Sequence, residues 1–189
     1  MHKFFLLARQ KSGEGIRESG REPTGMIRVG IMTVSDRCAR GERQDESGPA
    51  IEYHLTEGET SGDYEVALRV CVPDDEGEIG MQLIALCDAG CDVILTTGGT
   101  GFSPRDVTPE ATVSVIDRNA PGIAEMLRAD GLRRIPTAAL GRGIAGIRDS
   151  TLIVNLPGSP GAVRDGMRLL VPLLPHAVSL LRGEGGGHL

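Results

Sequence analysis

Short apolar segments recur along the chain and predict strands that are covered on both faces. The main segments are Ile27–Val34, Tyr64–Val72, Cys91–Leu95 and Thr151–Val154. They show little alternation of polar and apolar positions, which is typical of parallel strands with helices on both sides. We expect a further pair of short strands around residues 138–148, followed by a turn at residues 148–150.

Helical patterns lie between these segments. Apolar residues at helical spacing predict helices from Gly48, capped by Ser47, and over residues 76–88, 109–116 and 121–130. A last helix, capped by Ser159, should continue to about Val178 with kinks at Pro172 and Pro175. The alternation of strands and helices predicts an α/β fold, a three-layer α/β/α domain with a mostly parallel sheet.

The length of 189 residues suits one such domain, which we place at residues 26–183. Residues 1–25 are rich in glycine, serine and charge, and we predict a disordered N-terminal extension or leader there. Residues 184–189 should form a flexible tail. Because no apolar run approaches the length of a membrane span, we expect a cytoplasmic protein without a membrane partner.

Charge and aromatic content restrict the classes of partner. A net charge of −6 and an aromatic content of 3%, without tryptophan, argue against nucleic acid as a partner. The only lysines, Lys3 and Lys11, precede the predicted domain. A phosphate bound by the domain must therefore meet arginine, backbone amides or a metal ion.

The segment Thr96-Thr97-Gly98-Gly99-Thr100-Gly101 links the third main strand to a helix that begins near Thr108 and Pro109. This order of strand, glycine turn and helix start can offer backbone amides and a helix dipole to a phosphate. The P-loop and dinucleotide fingerprints do not match, because no lysine follows and Pro104 stands at the third glycine position. A glycine-rich connection without a ligand is the alternative interpretation, and the number of hydroxyl groups in the segment argues against it.

Polar residues follow the carboxyl end of each main predicted strand. These clusters are Ser35-Asp36-Arg37, Asp74-Asp75, residues 96–101 and Asn155-Leu156-Pro157-Gly158-Ser159. Open α/β sheets bind ligands in the crevice outside those strand ends. The four clusters therefore predict one binding site.

Asp74 and Asp106 are the candidate residues for chemistry at this site. Two carboxylates beside a phosphate suggest Mg²⁺ shared with a polyphosphate. Helix capping is the alternative role for each of them, and Asp75 is a second candidate beside Asp74. The charged segment from Asp36 to Ser47 is either a solvated loop or a substrate lid.

Together these motifs closely resemble the Mog/MoaB family of molybdenum cofactor biosynthesis proteins, the bacterial molybdopterin adenylyltransferases. The resemblance extends from about Ile27 to Arg182. Six motifs carry the resemblance. They are Ser35-Asp36-Arg37, Asp45-x-Ser47-Gly48, Pro73-Asp74, the glycine segment at residues 96–101, the run Arg105-Asp106-Val107-Thr108-Pro109-Glu110 and Asn155-Leu156-Pro157-Gly158. The resemblance implies a molybdopterin-binding-like fold.

The resemblance also implies an activity. This is Mg²⁺-dependent transfer of AMP from ATP to molybdopterin, which gives adenylyl-molybdopterin and pyrophosphate. The family's essential, metal-binding aspartates fall on Asp74 and Asp106. Its substrate-binding positions fall on Ser35, Asp36, Thr96, Thr97, Gly98, Gly99, Thr100, Gly101, Pro157, Gly158 and Ser159.

Members of the family are usually homotrimers, and a molybdenum insertase is the implied partner. Some members bind molybdopterin without catalysis, so a carrier protein is the alternative function. Gly141 stands where related chains often carry serine, and one substrate contact is therefore expected to differ.

Overall fold

The computed structural model describes residues 25–58 and 62–184 of the chain. Within these residues, the strands form one sheet and are β1 (Ile27–Val34), β2 (Tyr64–Val72), β3 (Val93–Thr97), β4 (Arg118–Asn119), β5 (Ala145–Arg148) and β6 (Thr151–Leu156). They lie in the order β2-β1-β3-β6-β5-β4. The first four strands in this order are parallel, whereas β5 and β4 are antiparallel to their neighbours. The predicted mostly parallel sheet is confirmed.

Helices cover both faces of the sheet. In the described residues they are α1 (Asp36–Ala39), α2 (Ser47–Thr56), α3 (Glu76–Asp88), α4 (Thr108–Val115), α5 (Pro121–Leu132), α6 (Pro160–Leu170) and α7 (Leu174–Leu181), with a 3-10 helix at Pro136–Leu140. Successive strand residues point to opposite faces. Val93 and Leu95 therefore join the apolar core beneath α2, α6 and α7, while Ile94 joins the core beneath α3 and α4. This is the predicted three-layer arrangement.

Strands β3 and β6 extend beyond the apolar runs that predict them. Thr96 and Thr97 of β3 pair in parallel register with Asn155 and Leu156 of β6. Both threonine side chains are fully buried, and a β-branched side chain packs well on a pleated surface. The glycine turn therefore starts at Gly98, directly at the end of the strand.

The predicted pair of strands around residues 138–148 is only partly correct. Residues 136–140 form the 3-10 helix instead, because Pro136 fixes its own φ in the helical range and begins the turn. Strand β5 pairs with β6 and with the two-residue strand β4, which the sequence did not predict. The turn at residues 148–150 is confirmed, and Asp149 adopts a φ of 49° there.

Two expectations about helix ends also change. The last helix is not kinked but divided into α6 and α7, since Pro172 between them has no N–H to donate. Ser47 is the first residue of α2 rather than its cap, since Glu46 occupies the N-cap position. The first amides are bound by Asp45, whose Oδ1 accepts hydrogen bonds from Ser47 N and Gly48 N at 3.1 and 3.0 Å. Ser159 caps α6 as predicted, accepting from the amide of the third residue that follows it.

The predicted extension and tail lie almost entirely outside the described residues, at 1–24 and 185–189. Across residues 25–58 and 62–184, no helix has both the length and the apolar character that crossing a membrane requires.

Candidate active site

Loops that follow the parallel strands meet at one edge of the sheet. Thr97 Oγ1, at the end of β3, donates a hydrogen bond to Pro157 O after β6 at 2.7 Å. Gly158 approaches so closely that a Cβ atom built on it would lie 3.2 Å from Gly98 Cα. The glycine turn and the loop after β6 are therefore in direct contact.

Asp74 and Asp36, which follow β2 and β1, hold each other in place. Asp36 N donates to Asp74 Oδ2 at 2.8 Å, and Asp74 N donates to Asp36 Oδ1 at 3.2 Å. Arg105 completes this group, because its Nη2 donates to Asp36 Oδ2 at 2.8 Å. Asp74 Oδ1 has no hydrogen-bond partner in the described parts of the chain, and a Cβ atom on Gly99 would lie 3.1 Å from it.

The Arg105 guanidinium lowers the pKa of Asp36 below its usual value, chiefly by donating hydrogen bonds to the carboxylate. We expect Arg105→Met to raise the pKa of Asp36 toward the ordinary aspartate range of about 4, as measured by NMR titration of the carboxyl carbon. A depressed pKa stabilises the folded state above the unfolded-state pKa, and this stabilisation is lost as the pH falls through the folded-state pKa. The stability difference between wild type and variant should therefore be present at neutral pH and disappear in acid.

Arg43→Met is the control for this titration, since Arg43 contacts Glu46 on the surface and has no hydrogen bond to Asp36. The pKa of Asp36 should not move in this variant. An unchanged Asp36 pKa in Arg105→Met would mean that the ion pair does not form in solution.

The neighbouring aspartates Asp74 and Asp75 have different hydrogen-bond partners. Asp75 is the N-cap residue of α3, and its Oδ1 accepts a hydrogen bond from Glu78 N at 3.0 Å. Asp74 makes no hydrogen bond to α3: its Oδ2 accepts from Asp36 N, and its Oδ1 lies beside Gly99 of the glycine turn. The capping role therefore belongs to Asp75, and Asp74 is the candidate for chemistry.

Asp106 lies at the other side of the glycine turn. Its Oδ2 accepts a hydrogen bond from Ser103 N at 3.0 Å, and its own N donates to Ser103 O at 2.9 Å. Asp106 therefore closes the turn at residues 103–106 and does not cap α4. A Cβ atom on Gly101 would lie 2.9 Å from Asp106 Oδ2, and Oδ1 has no hydrogen-bond partner in the described residues.

The glycine turn has a backbone that only glycine adopts readily. Gly98 has a φ of 98° and Gly99 a φ of 62°. A Cβ atom on Gly98 would collide with the carbonyl oxygen of Val34, and one on Gly99 with Thr108 Oγ1. Thr108 is the first residue of α4, and its Oγ1 donates to Gly98 O at 2.9 Å.

Hydroxyl groups near the turn have mainly internal partners. Thr96 Oγ1 accepts a hydrogen bond from Asn155 Nδ2 at 3.0 Å, and Thr97 Oγ1 is bonded to Pro157 O. These two side chains support the turn from inside the protein. Thr100, in contrast, lies at the wall of a cavity.

The cavity has a volume of about 650 Å³, a usual size for a ligand pocket. One wall contains the predicted residues Gly99, Thr100, Gly101, Asp106, Pro157, Gly158 and Ser159. The other lining residues come mainly from α5, the 3-10 helix and α6. The predicted residues outside the lining are Ser35, Asp36, Asp74, Thr96, Thr97 and Gly98.

Arginines that the sequence analysis did not single out also belong to the site. Arg128 and Arg134 line the cavity, and Arg142 contacts the glycine turn. Arg134 bridges α5 to α6, with ion pairs of 2.8 Å to Asp130 and 2.9 Å to Asp165. The absence of lysine from the domain indicates that arginine is available for a phosphate, but nothing in the local pattern indicates which arginines reach the site.

Comparison with known proteins identifies the family. Residues 30–176 match the family described as a probable molybdopterin binding domain. The chain belongs to this molybdopterin-binding family. Two curated relatives are the molybdopterin adenylyltransferases of Helicobacter pylori strain J99 and Escherichia coli K12. The first is 40% identical over 84% of this chain and 89% of the relative, and the second is 42% identical over 74% and 71%.

Solved structures of molybdopterin biosynthesis proteins have the same fold. The molybdopterin biosynthesis enzyme MoaB from Thermus thermophilus is 51% identical, with a TM-score of 0.76 over 83% of this chain and 97% of that chain. A molybdopterin biosynthesis protein from Mycobacterium abscessus is 42% identical, with a TM-score of 0.77 over 84% and 98%. The fold and the family predicted from the sequence are thus confirmed.

Proposed function

We propose that this protein is a molybdopterin adenylyltransferase, which transfers AMP from ATP to the terminal phosphate of molybdopterin and releases pyrophosphate. One observation carries the proposal: the carboxylate of Asp106 and the turn at residues 99–101 border the same cavity of about 650 Å³. The two curated relatives of that name, at 40% and 42% identity, support it.

The glycine turn is suited to the phosphates of ATP. Side chains are absent at Gly99 and Gly101, so a ligand can approach the peptide N–H groups closely. Helix α4 begins seven residues after Gly101, and the positive end of its dipole would add to the attraction for a phosphate. The described residues contain no lysine, since the only lysines of the chain are Lys3 and Lys11, so amides and arginines must supply the remaining contacts.

The two aspartates fit a magnesium ion that is held jointly with a substrate. Asp74 and Asp106 each keep one carboxylate oxygen without a partner in the described residues. No group of three or more His, Cys, Asp and Glu residues lies close enough there to hold a metal alone. Mg²⁺ typically takes one or two carboxylates together with phosphate oxygens and water. When bound, it would neutralise charge that develops on the phosphates.

The reaction needs little covalent chemistry from the protein. An oxygen of the terminal phosphate of molybdopterin forms a bond to the α-phosphorus of ATP, and the bond from that phosphorus to the bridging oxygen of pyrophosphate breaks. Such in-line transfers depend on orientation and charge stabilisation. The glycine turn would hold the nucleotide, and the aspartates would supply negative charge for the metal. The cavity wall at residues 157–159 would orient the second substrate.

The test uses the purified full-length chain with ATP, Mg²⁺ and molybdopterin. We expect pyrophosphate release together with adenylyl-molybdopterin, and no release when molybdopterin is omitted. Tight binding of molybdopterin without pyrophosphate release would instead identify a carrier protein. Absence of both binding and release would contradict any role of this site in the pathway.

The family resemblance supports three further proposals. The protein forms a homotrimer, it passes its product to a molybdenum insertase, and it is located in the cytoplasm.

A further inference from the structure

Arg142 lies in the segment between the 3-10 helix and β5, and it forms hydrogen bonds with the loop that contains Asp106. Its backbone N donates to Thr100 O at 2.8 Å, and its side-chain Nε donates to Gly101 O at 2.7 Å. Its Nη2 donates to the carbonyl oxygen of Asp106. One residue therefore binds three carbonyl groups of the glycine turn and of the loop that follows it.

The two side-chain contacts join the two ends of the loop at residues 101–106. The guanidinium is planar and rigid, so binding both carbonyls at once sets the separation of Gly101 and Asp106. On the other side of Asp106, Ser103 N holds the carboxylate through Oδ2. Arg142 therefore fixes the backbone from which this carboxylate extends, and Ser103 fixes its orientation.

Arg142 is itself held on two sides. Its Nη1 is paired with the carboxylate of Glu110 on α4, and these hydrogen bonds lower the pKa of Glu110. From α5, Arg128 Nη1 donates to Gly141 O at 2.8 Å and to Gly143 O at 3.3 Å, the carbonyls on either side of Arg142. Such a network limits the movement of the guanidinium.

We infer that Arg142 is a positioning residue, which holds Asp106 and the glycine turn in the geometry that adenylyl transfer requires. This inference rests on the proposed function, but it assigns a role to a residue that touches neither of the free carboxylate oxygens. A displaced reacting group costs on the order of a hundredfold in rate for about 1 Å of error, so the contact should affect turnover more than substrate binding.

Arg142→Lys tests the inference. Lysine keeps the positive charge, but its single ammonium group cannot bind both carbonyls in the fixed geometry of the fork. We expect kcat to fall by roughly tenfold to a hundredfold, while KM for ATP changes by less than about threefold. In Arg142→Ala, added methylguanidinium should restore part of the lost kcat.

A second readout does not depend on activity. Because Ser103 N donates to Asp106 Oδ2, the hydrogen exchange rate of the Ser103 amide, measured by NMR, reports whether the carboxylate stays in place. We expect this exchange to accelerate in Arg142→Lys. The Glu78 amide, which is bonded to Asp75 on another loop, should keep its rate.

Arg69→Lys is the matched control, because Arg69 also pairs with a glutamate, Glu52, at similar exposure but away from the cavity. Its kcat and Ser103 exchange rate should equal those of the wild type. Unchanged kcat and exchange in Arg142→Lys would overturn the inference, and so would losses no larger than the loss of folded protein. A wild-type protein without adenylyl transfer would contradict the proposed function instead, and the exchange measurement would still decide whether Arg142 positions Asp106.

Discussion

Replacing Asp106 with asparagine should lower kcat for adenylyl transfer by about a thousandfold while the protein stays folded. Asparagine has nearly the same volume, and its side-chain oxygen can still accept the hydrogen bond from Ser103 N. The turn at residues 103–106 should therefore persist. The negative charge is lost, however, and with it the proposed contact to the metal, which would be worth several kcal/mol, on the order of a thousandfold in rate.

Pyrophosphate release at saturating ATP and molybdopterin measures this effect, and urea unfolding measures the stability of the variant. Asp74→Asn should behave similarly, since Asp74 lies across the turn near Gly99. Normal turnover by Asp106→Asn would remove Asp106 from the proposed mechanism.

Asp75→Asn is the internal control for both variants. Asp75 is adjacent to Asp74 in the chain, but its carboxylate caps α3 through Glu78 N. Asparagine is an equally good N-cap residue, so both kcat and the free energy of unfolding should stay close to wild type. A large loss of activity in Asp75→Asn would show that the two aspartates have been assigned to the wrong roles.

Gly98→Ala should destabilise the protein by about 3 kcal/mol. Gly98 has a φ of 98°, which an alanine side chain rarely tolerates. A Cβ atom there would also meet the carbonyl oxygen of Val34, a backbone group of the interior strand β1 that cannot move aside easily. Urea unfolding monitored by circular dichroism gives the free energy.

The control variant is Gly122→Ala, for which the expected change in the free energy of unfolding has the opposite sign. Gly122 lies in the first turn of α5, and a Cβ atom there would have no neighbour within 4 Å. Gly122→Ala should stabilise the protein by about 0.5 kcal/mol, because alanine favours the helix. Equal stability of Gly98→Ala and wild type would mean that the turn adopts another conformation in solution.

The sequence predicted the central part of the fold closely. Strands β1 and β2 and helix α3 have the predicted bounds, because the two strands are mostly apolar runs that end at polar or turn residues and the helix has apolar residues at helical spacing. Errors occurred where the local pattern is weak. Strand β4 has two exposed residues, Arg118 and Asn119, and exists only because β5 pairs with it.

The sequence by itself determined the family, the α/β fold and the edge of the sheet where the polar residues collect. This was possible because parallel strands bring their carboxyl ends to one edge, so the order of elements along the chain is sufficient. It also placed Asp74, Asp106 and the glycine turn in one neighbourhood.

Only the tertiary structure decided what each polar residue does there. Asp74 is held by a hydrogen bond from Asp36, 38 residues away, and Gly101 accepts a hydrogen bond from Arg142, 41 residues away. Neither contact leaves a periodic signal, since side chains on separate loops meet only after the sheet has formed. The location of the glycine turn at the strand ends was therefore readable from the sequence, whereas the positions of the charged residues that support it were set by packing.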